Sequence, residues 1–180
     1  MRRPSHSKKD PAAADEFRQG LAGYLENLRL PEGSKVKLWM MDEARFGLHT
    51  ETCRLWALKG KRPVVTRQIK YEWDYLYGSL DVLGGQAGFH LCDGDARLPE
   101  RVRIIDLPPY NPELNPCEQL WDRIKDEIGN RIFATVEELR EATLPALLRY
   151  WDDAAAVLRL VGRCWLLDQV NTSNKTVESH

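Results

Sequence analysis

The spacing of apolar and polar positions lays out an order of elements. From Asp10 or Asp15 onward, Phe17, Leu21, Tyr24, Leu25 and Leu28 recur at steps of three and four, which predicts a helix ended by Pro31, Glu32, Gly33 and Ser34. Val36 to Met41, VKLWMM, is an apolar run of strand length that follows a turn and ends in acids, and it reads as a buried central strand. Tyr71 to Val82 and Gln86 to Leu91 are two strand-like runs around Leu83-Gly84-Gly85, a hairpin pattern. Thr135-Val136-Glu137-Glu138 is a capping box, and Leu139, Ala142, Leu144 to Leu148 and Trp151 predict an amphipathic helix after it. A second helix over Asp152 to Val170 carries Val157, Leu158, Val161, Trp165 and Leu166 on its apolar side.

The stretch from Leu107 to Glu127, LPPYNPELNPCEQLWDRIKDE, is the most specific in the chain. Pro108, Pro109, Pro112 and Pro116 forbid regular hydrogen bonding, and Asn111 and Asn115 favour turn geometry, so it opens as a rigid corner. A helix follows, with Asn115 as N-cap, Pro116 at the first helical position and Glu118 completing an Asn-x-x-Glu box. Glu118, Trp121, Ile124 or Lys125, and Ile128 then share one face. A glutamate in a first helical turn commonly serves only to offset the helix dipole.

Composition narrows the class. A chain of 180 residues with 43% hydrophobic content suits one globular domain with a buried core. The net charge of -1 gives no overall pull toward nucleic acid, so any such binding has to come from a local patch. Cys53, Cys92, Cys117 and Cys164 form no C-x-x-C pair, which argues against a structural zinc site and a disulfide framework and for reduced thiols. No apolar run is long enough to cross a membrane and no signal-peptide core follows the basic N-terminus, so the expectation is a soluble cytoplasmic protein.

Two further features bear on chemistry. Asp42, followed by Glu43, comes at the end of the VKLWMM run, where a carboxylate is costly unless solvated, paired or bound to a cation. Its bland alternative is a turn-forming aspartate or an ion pair with Arg45. Between positions 54 and 70 the chain carries Arg54, Lys59, Lys61, Arg62, Arg67 and Lys70 with no acid among them, on what reads as a hairpin with a Lys-Gly-Lys-Arg-Pro turn. This cluster suits phosphate contact, although a solvated hairpin has the same composition. Asp81 lies near the second hairpin's turn, where aspartate is ordinary.

Two motifs, DEARFG at Asp42 to Gly47 and PPYNPELNPCEQLW at Pro108 to Trp121, resemble the first and last acidic motifs of the DDE transposases, in particular the mariner-type bacterial insertion-sequence enzymes. The resemblance implies a ribonuclease-H-like α/β domain, a mixed sheet with flanking helices. It implies DNA strand cleavage and transfer by three carboxylates around two divalent cations, Mg2+ or Mn2+, which activate water or a 3' hydroxyl for attack on phosphate. Asp42 becomes the first acid and Glu118 the third. The basic segment with Arg-x-Trp-Ala corresponds to a hairpin next to the first acid, and Lys125, one turn beyond Trp121, is a further candidate for phosphate contact. Double-stranded DNA is the implied partner, with a homodimer as a further possibility and no small-molecule cofactor.

The resemblance breaks between Phe89 and Arg97. The family reaches its second acid through a helical crossover to another parallel strand, which needs a dozen or more residues. Here Asp93-Gly94-Asp95 follow Leu91 almost at once, and Val102 to Ile105 already resembles the strand before the prolyl corner. The expectation is therefore an internal deletion of one crossover helix and strand, with Asp93 the candidate remnant of the second acid, and no N-terminal module for recognising transposon ends. The domain reading is a basic tail and linker helix over 1–34, the catalytic domain over 35–170 and a disordered tail over 171–180. Such a chain is expected to be impaired as an enzyme, and the alternative is an inactive remnant that binds DNA or another protein.

Overall fold

The computed structural model describes residues 9–28, 37–91, 102–161 and 165–166. Asp93, the strand-to-corner join and the 171–180 tail lie outside the described residues.

The first helix, α1 (Pro11–Glu26), starts where Asp10 caps it: the Asp10 carboxylate accepts from the N–H groups of Ala12 and Ala13 at 2.9 and 3.2 Å. Ala14 and Leu21 are its buried positions, and Phe17 meets Trp165 edge-on at 5.8 Å. The sheet consists of β1 (Trp39–His49), β2 (Ile69–Asp81) and β3 (Ala87–Leu91), antiparallel and in that order. β2 is thus the middle strand.

β1 corrects two expectations. It does not end at Met41 but runs on to His49, and it is an edge strand rather than a central one among the described residues. The reason is alternation: Met40, Ala44, Phe46 and Leu48 are buried while Met41, Glu43 and Arg45 between them are exposed, so the charged residues occupy the outward side of a continuing strand. Asp42 falls on the inward side. Nor does the described sheet contain a parallel pair, as the mixed sheet required; residues 102–108 join no strand, although Ile105 and Leu107 pack on the core.

The β2–β3 hairpin forms as the pattern foretells, and Asp81 explains how. Its Oδ1 accepts from the N–H groups of Leu83 and Gly84 at 3.1 and 2.9 Å, its own N–H donates to Gln86, and Gly85 closes the turn at φ 71°. Only glycine fits there, since a Cβ on Gly85 would lie 2.7 Å from the Ala154 carbonyl. Asp81→Ala is expected to cost about 1–2 kcal/mol, the value of a cap whose freed N–H groups are partly taken up by water, and thermal melting checks it.

Three helices follow a 3-10 turn at Pro112–Leu114. On α2 (Cys117–Ile128) the buried set is Cys117, Leu120, Trp121, Ile124 and Ile128, a stripe laid on β1 and β2. α3 (Val136–Asp152) begins at the Thr135 cap, whose hydroxyl accepts from Glu138 N–H at 3.2 Å; the Glu138 carboxylate reaches back to Ala134 N–H, one residue earlier than the box predicts. Its inward residues are Leu139, Thr143, Ala146 and Tyr150, whereas Leu144, Leu148 and Trp151 of the predicted stripe are exposed. Arg140 on α3 grips Asp74 of β2 with two hydrogen bonds of 2.7 and 2.9 Å, and this holds the Asp74 carboxyl below the usual aspartate range. α4 (Ala154–Val161) starts two residues later than expected because Asp153 caps it through Ala156 N–H. No described helix is long and apolar enough to cross a membrane.

Candidate functional site

The inward side of β1 and the start of α2 meet at Asp42. Asn115, in the prolyl corner, donates from Nδ2 to the Met41 carbonyl at 3.0 Å and accepts at Oδ1 from Cys117 N–H at 3.1 Å. One side chain, placed just before the Pro116 N-cap, therefore takes up the first N–H of α2 and fastens the start of the helix to β1 beside Asp42. The predicted capping box does not form: Pro116 and not Asn115 is the N-cap, the Asn115 side chain accepts from Cys117 rather than Glu118 N–H, and the Asn115 N–H donates to the Pro112 carbonyl within the 3-10 turn.

Trp121, one turn into α2, completes the attachment. Its indole N–H donates to Asp42 Oδ2 at 3.2 Å and its ring meets Phe46 edge-on at 6.1 Å. Space for the ring comes from Gly78, the residue paired with Asp42 across β1 and β2, since a Cβ at Gly78 would lie 2.4 Å from the ring carbon Cη2. Sequence reading put Trp121 on the face of Glu118 but missed its hydrogen bond to Asp42 and missed Gly78. The signal that was available is a glycine inside an otherwise aromatic strand, which marks a close approach.

The electrostatics of the pair follow from this packing. Burial raises the Asp42 carboxyl above the ordinary aspartate value, and the Glu118 carboxylate nearby raises it further. Cys117 is wholly buried, donates to the Met40 carbonyl at 3.2 Å, and is pushed far upward by burial and then by Asp42 and Glu118. It is a neutral thiol that packs and does not ligate. Glu43 faces the opposite, exposed side of the sheet. The fold thus brings Asp42 and Glu118 together, while among the described residues no group of three or more His, Cys, Asp or Glu side chains is placed to hold one ion.

The cationic segment leaves the sheet at Thr50 and returns at Gln68, where Thr50 N–H donates to the Gln68 carbonyl at 3.0 Å. It is not the expected hairpin ladder. No strand is assigned between 50 and 68, and the tip is a turn in which Lys61 N–H donates to Leu58, with Gly60 at φ 85°. Arg54, Lys59, Lys61, Arg62 and Arg67 are all exposed, and Trp56 among them is fully so. Lys70 is instead at the start of β2, donating to the Ala134 carbonyl at 2.9 Å. Lys125 lies half-buried on α2, 6.0 Å from the centre of the Phe46 ring.

Comparison with known proteins agrees with this arrangement in part. An uncharacterized protein of Sinorhizobium fredii (strain NBRC 101917 / NGR234), y4pE/y4sA, is 36% identical over 55 residues, which cover 30% of this chain and 40% of that protein. The chain thus spans less than half the length of this relative. No solved structure matches. Residues 95–140, which contain the prolyl corner, Glu118 and Trp121 but not Asp42, match the family of the DDE superfamily endonucleases.

Proposed function

We propose that this chain carries the ribonuclease-H-like catalytic domain of a mariner-type insertion-sequence transposase, cutting and joining DNA strands at Asp42 and Glu118, in a form impaired by loss of one crossover unit. The observation that carries the reading is the pairing of a half-buried Asp42 with Glu118, each delivered by a different element and steadied by Asn115 and Trp121. A half-buried carboxylate that feels the charge of a second one is unfavourable unless protonated or neutralised, and a hard divalent cation is the partner that oxygen donors of this kind suit. Asp42 and Glu118 would hold it, with Asp93 as the candidate third ligand. A bound cation of this type supplies charge neutralisation for a phosphate and its leaving oxygen. The Trp121 N–H at Asp42 Oδ2 and the Glu43 backbone N–H together hold the Asp42 carboxylate in place. The exposed Arg54, Lys59, Lys61, Arg62 and Arg67 supply phosphate contacts that position a duplex without reading its sequence.

The test is incubation of duplex DNA containing insertion-sequence ends with the protein and Mn2+ or Mg2+. Cleavage that needs the cation supports the proposal. Salt-sensitive binding without cleavage under any cation supports the inactive DNA-binding remnant in its place. A concentration-dependent oligomer with no affinity for DNA supports a protein-interaction module.

A further inference from the structure

The root of the cationic arm is held by one side chain whose role lies outside the acid pair. Asn130 follows the glycine that ends α2 and adopts φ 59°, a left-handed conformation that asparagine tolerates better than most residues. Its N–H donates to the Glu51 carbonyl at 2.7 Å. Its side chain is turned wholly onto Cys53: Oδ1 accepts from Cys53 N–H at 3.1 Å, and Nδ2 lies 3.0 Å from the Cys53 carbonyl and 2.8 Å from Sγ. Gly129 allows the approach, because a Cβ there would lie 2.6 Å from Cys53 Sγ.

The other end of the arm is tied to the same connector. Gln68 donates from Nε2 to the Phe133 carbonyl at 2.8 Å, and Gln68 N–H donates to Thr50 Oγ1 at 2.9 Å. Beyond these ties residues 54–64 are exposed throughout and form no ladder, so the direction in which the arm leaves the domain is decided at its root. The connector is continuous with α2, whose first turn bears Glu118. α2 therefore relates the arm's root to Glu118, and β1, which runs into the arm at Thr50, relates it to Asp42.

We infer that Asn130 is a positioning residue for nucleic-acid binding: by spending its amide on Cys53 it holds the cationic arm at a fixed bearing to α2, so that several arm cations engage one duplex at once. This rests on the reading of the arm as a phosphate-binding element. A cluster of cations on a wandering loop still attracts DNA, but fewer of them reach phosphates together, so both affinity and its salt dependence fall.

Asn130→Gly keeps the left-handed backbone and removes only the amide. Expected are about tenfold weaker binding of a duplex oligonucleotide at low salt, a shallower dependence of affinity on salt, and faster hydrogen exchange at the Cys53 amide. The thermal shift produced by Mn2+ should stay as in the parent, because the acid pair is untouched. Asn130→Asp, which retains the acceptor for Cys53 N–H but loses the donor, should fall between the two, and serves if the glycine variant does not fold. Val157→Ala is the control for destabilisation alone: it should lower the melting temperature and leave DNA affinity as it was. Affinity and salt slope within twofold of the parent in Asn130→Gly, with the Cys53 amide deprotected, overturn the inference. If replacing Lys59, Lys61 and Arg62 by glutamine leaves DNA binding unchanged, the phosphate-binding reading falls and takes the inference with it. If those changes weaken binding while Asn130→Gly does not, the inference alone falls.

Discussion

Asp42→Asn and Glu118→Gln are each expected to reduce Mn2+-dependent strand cleavage by about 10²–10³-fold, the scale of a single electrostatic contributor in an active site. Both replacements keep size and shape, and an asparagine oxygen at position 42 still accepts the Trp121 N–H, so loss of activity reports charge rather than packing. Stability should move the other way. Because the folded-state value of Asp42 is raised by burial and by Glu118, the folded protein holds a proton there over a range where the unfolded chain has released it. The contribution of Asp42 to stability is therefore present at low pH and is lost as pH rises through the folded-state value. Asp42→Asn should melt higher than the parent above that range, and the difference should shrink below it. Mn2+ should raise the melting temperature of the parent at neutral pH and not that of Asp42→Asn, since a ligand stabilises only the state that binds it. A neutral-pH melting point lowered by Asp42→Asn, together with an intact Mn2+ shift, would place the cation elsewhere. Asp74 supplies a contrast of opposite sign: its value is lowered by Arg140, so its share of stability is lost as pH falls.

Trp121→Ala is expected to destabilise the fold by about 3–5 kcal/mol, the usual cost of removing a large aromatic from a packed interior, and chemical denaturation measures it. The indole is 3% exposed, wedged over Gly78 and against Phe46, so its loss leaves a hole between α2 and the sheet. Trp121→Phe separates packing from hydrogen bonding. It fills most of the space but leaves Asp42 Oδ2 without the indole donor, and should raise the carboxyl value further while costing much less stability. Gly78→Ala approaches the same contact from the strand side: its methyl must displace the ring, and overpacking of this sort costs about 1–3 kcal/mol.

Local signals in the sequence translated well where a structure is made by neighbours. Asp10 and Thr135 cap helices as their positions promise, the Leu83-Gly84-Gly85 run makes its hairpin, and the prolines before Glu118 make a corner. β1 was misjudged because Asp42, Glu43 and Arg45 interrupt an apolar run, although Met40, Ala44, Phe46 and Leu48 keep a period of two through the interruption. The inward face of α3 matches the sequence reading at Leu139, Ala142, Ala146 and Leu147 and departs from it at Leu144, Leu148 and Trp151, which are exposed. The buried positions follow the helical spacing of Leu139, Thr143, Ala146 and Tyr150, a stripe that places Leu144, Leu148 and Trp151 on the outer side. The meeting of Asp42 with Glu118 was inferred from resemblance, while its physical basis is register: only the pairing of Asp42 with Gly78 leaves room for Trp121 to arrive. Asn130 has no place in the sequence reading, because nothing local in a sequence marks a partner such as Cys53, 77 positions away.

The bond from Asn115 to the Met41 carbonyl has an architectural consequence. It ties the corner straight to β1, so the span between the two carboxylates is governed by a local rivet and not by the length of peptide joining β3 to Val102. Material can be removed from, or inserted into, that joining peptide with the rivet left in place. A change in the length of that peptide and the alignment of Asp42 with Glu118 are mechanically decoupled.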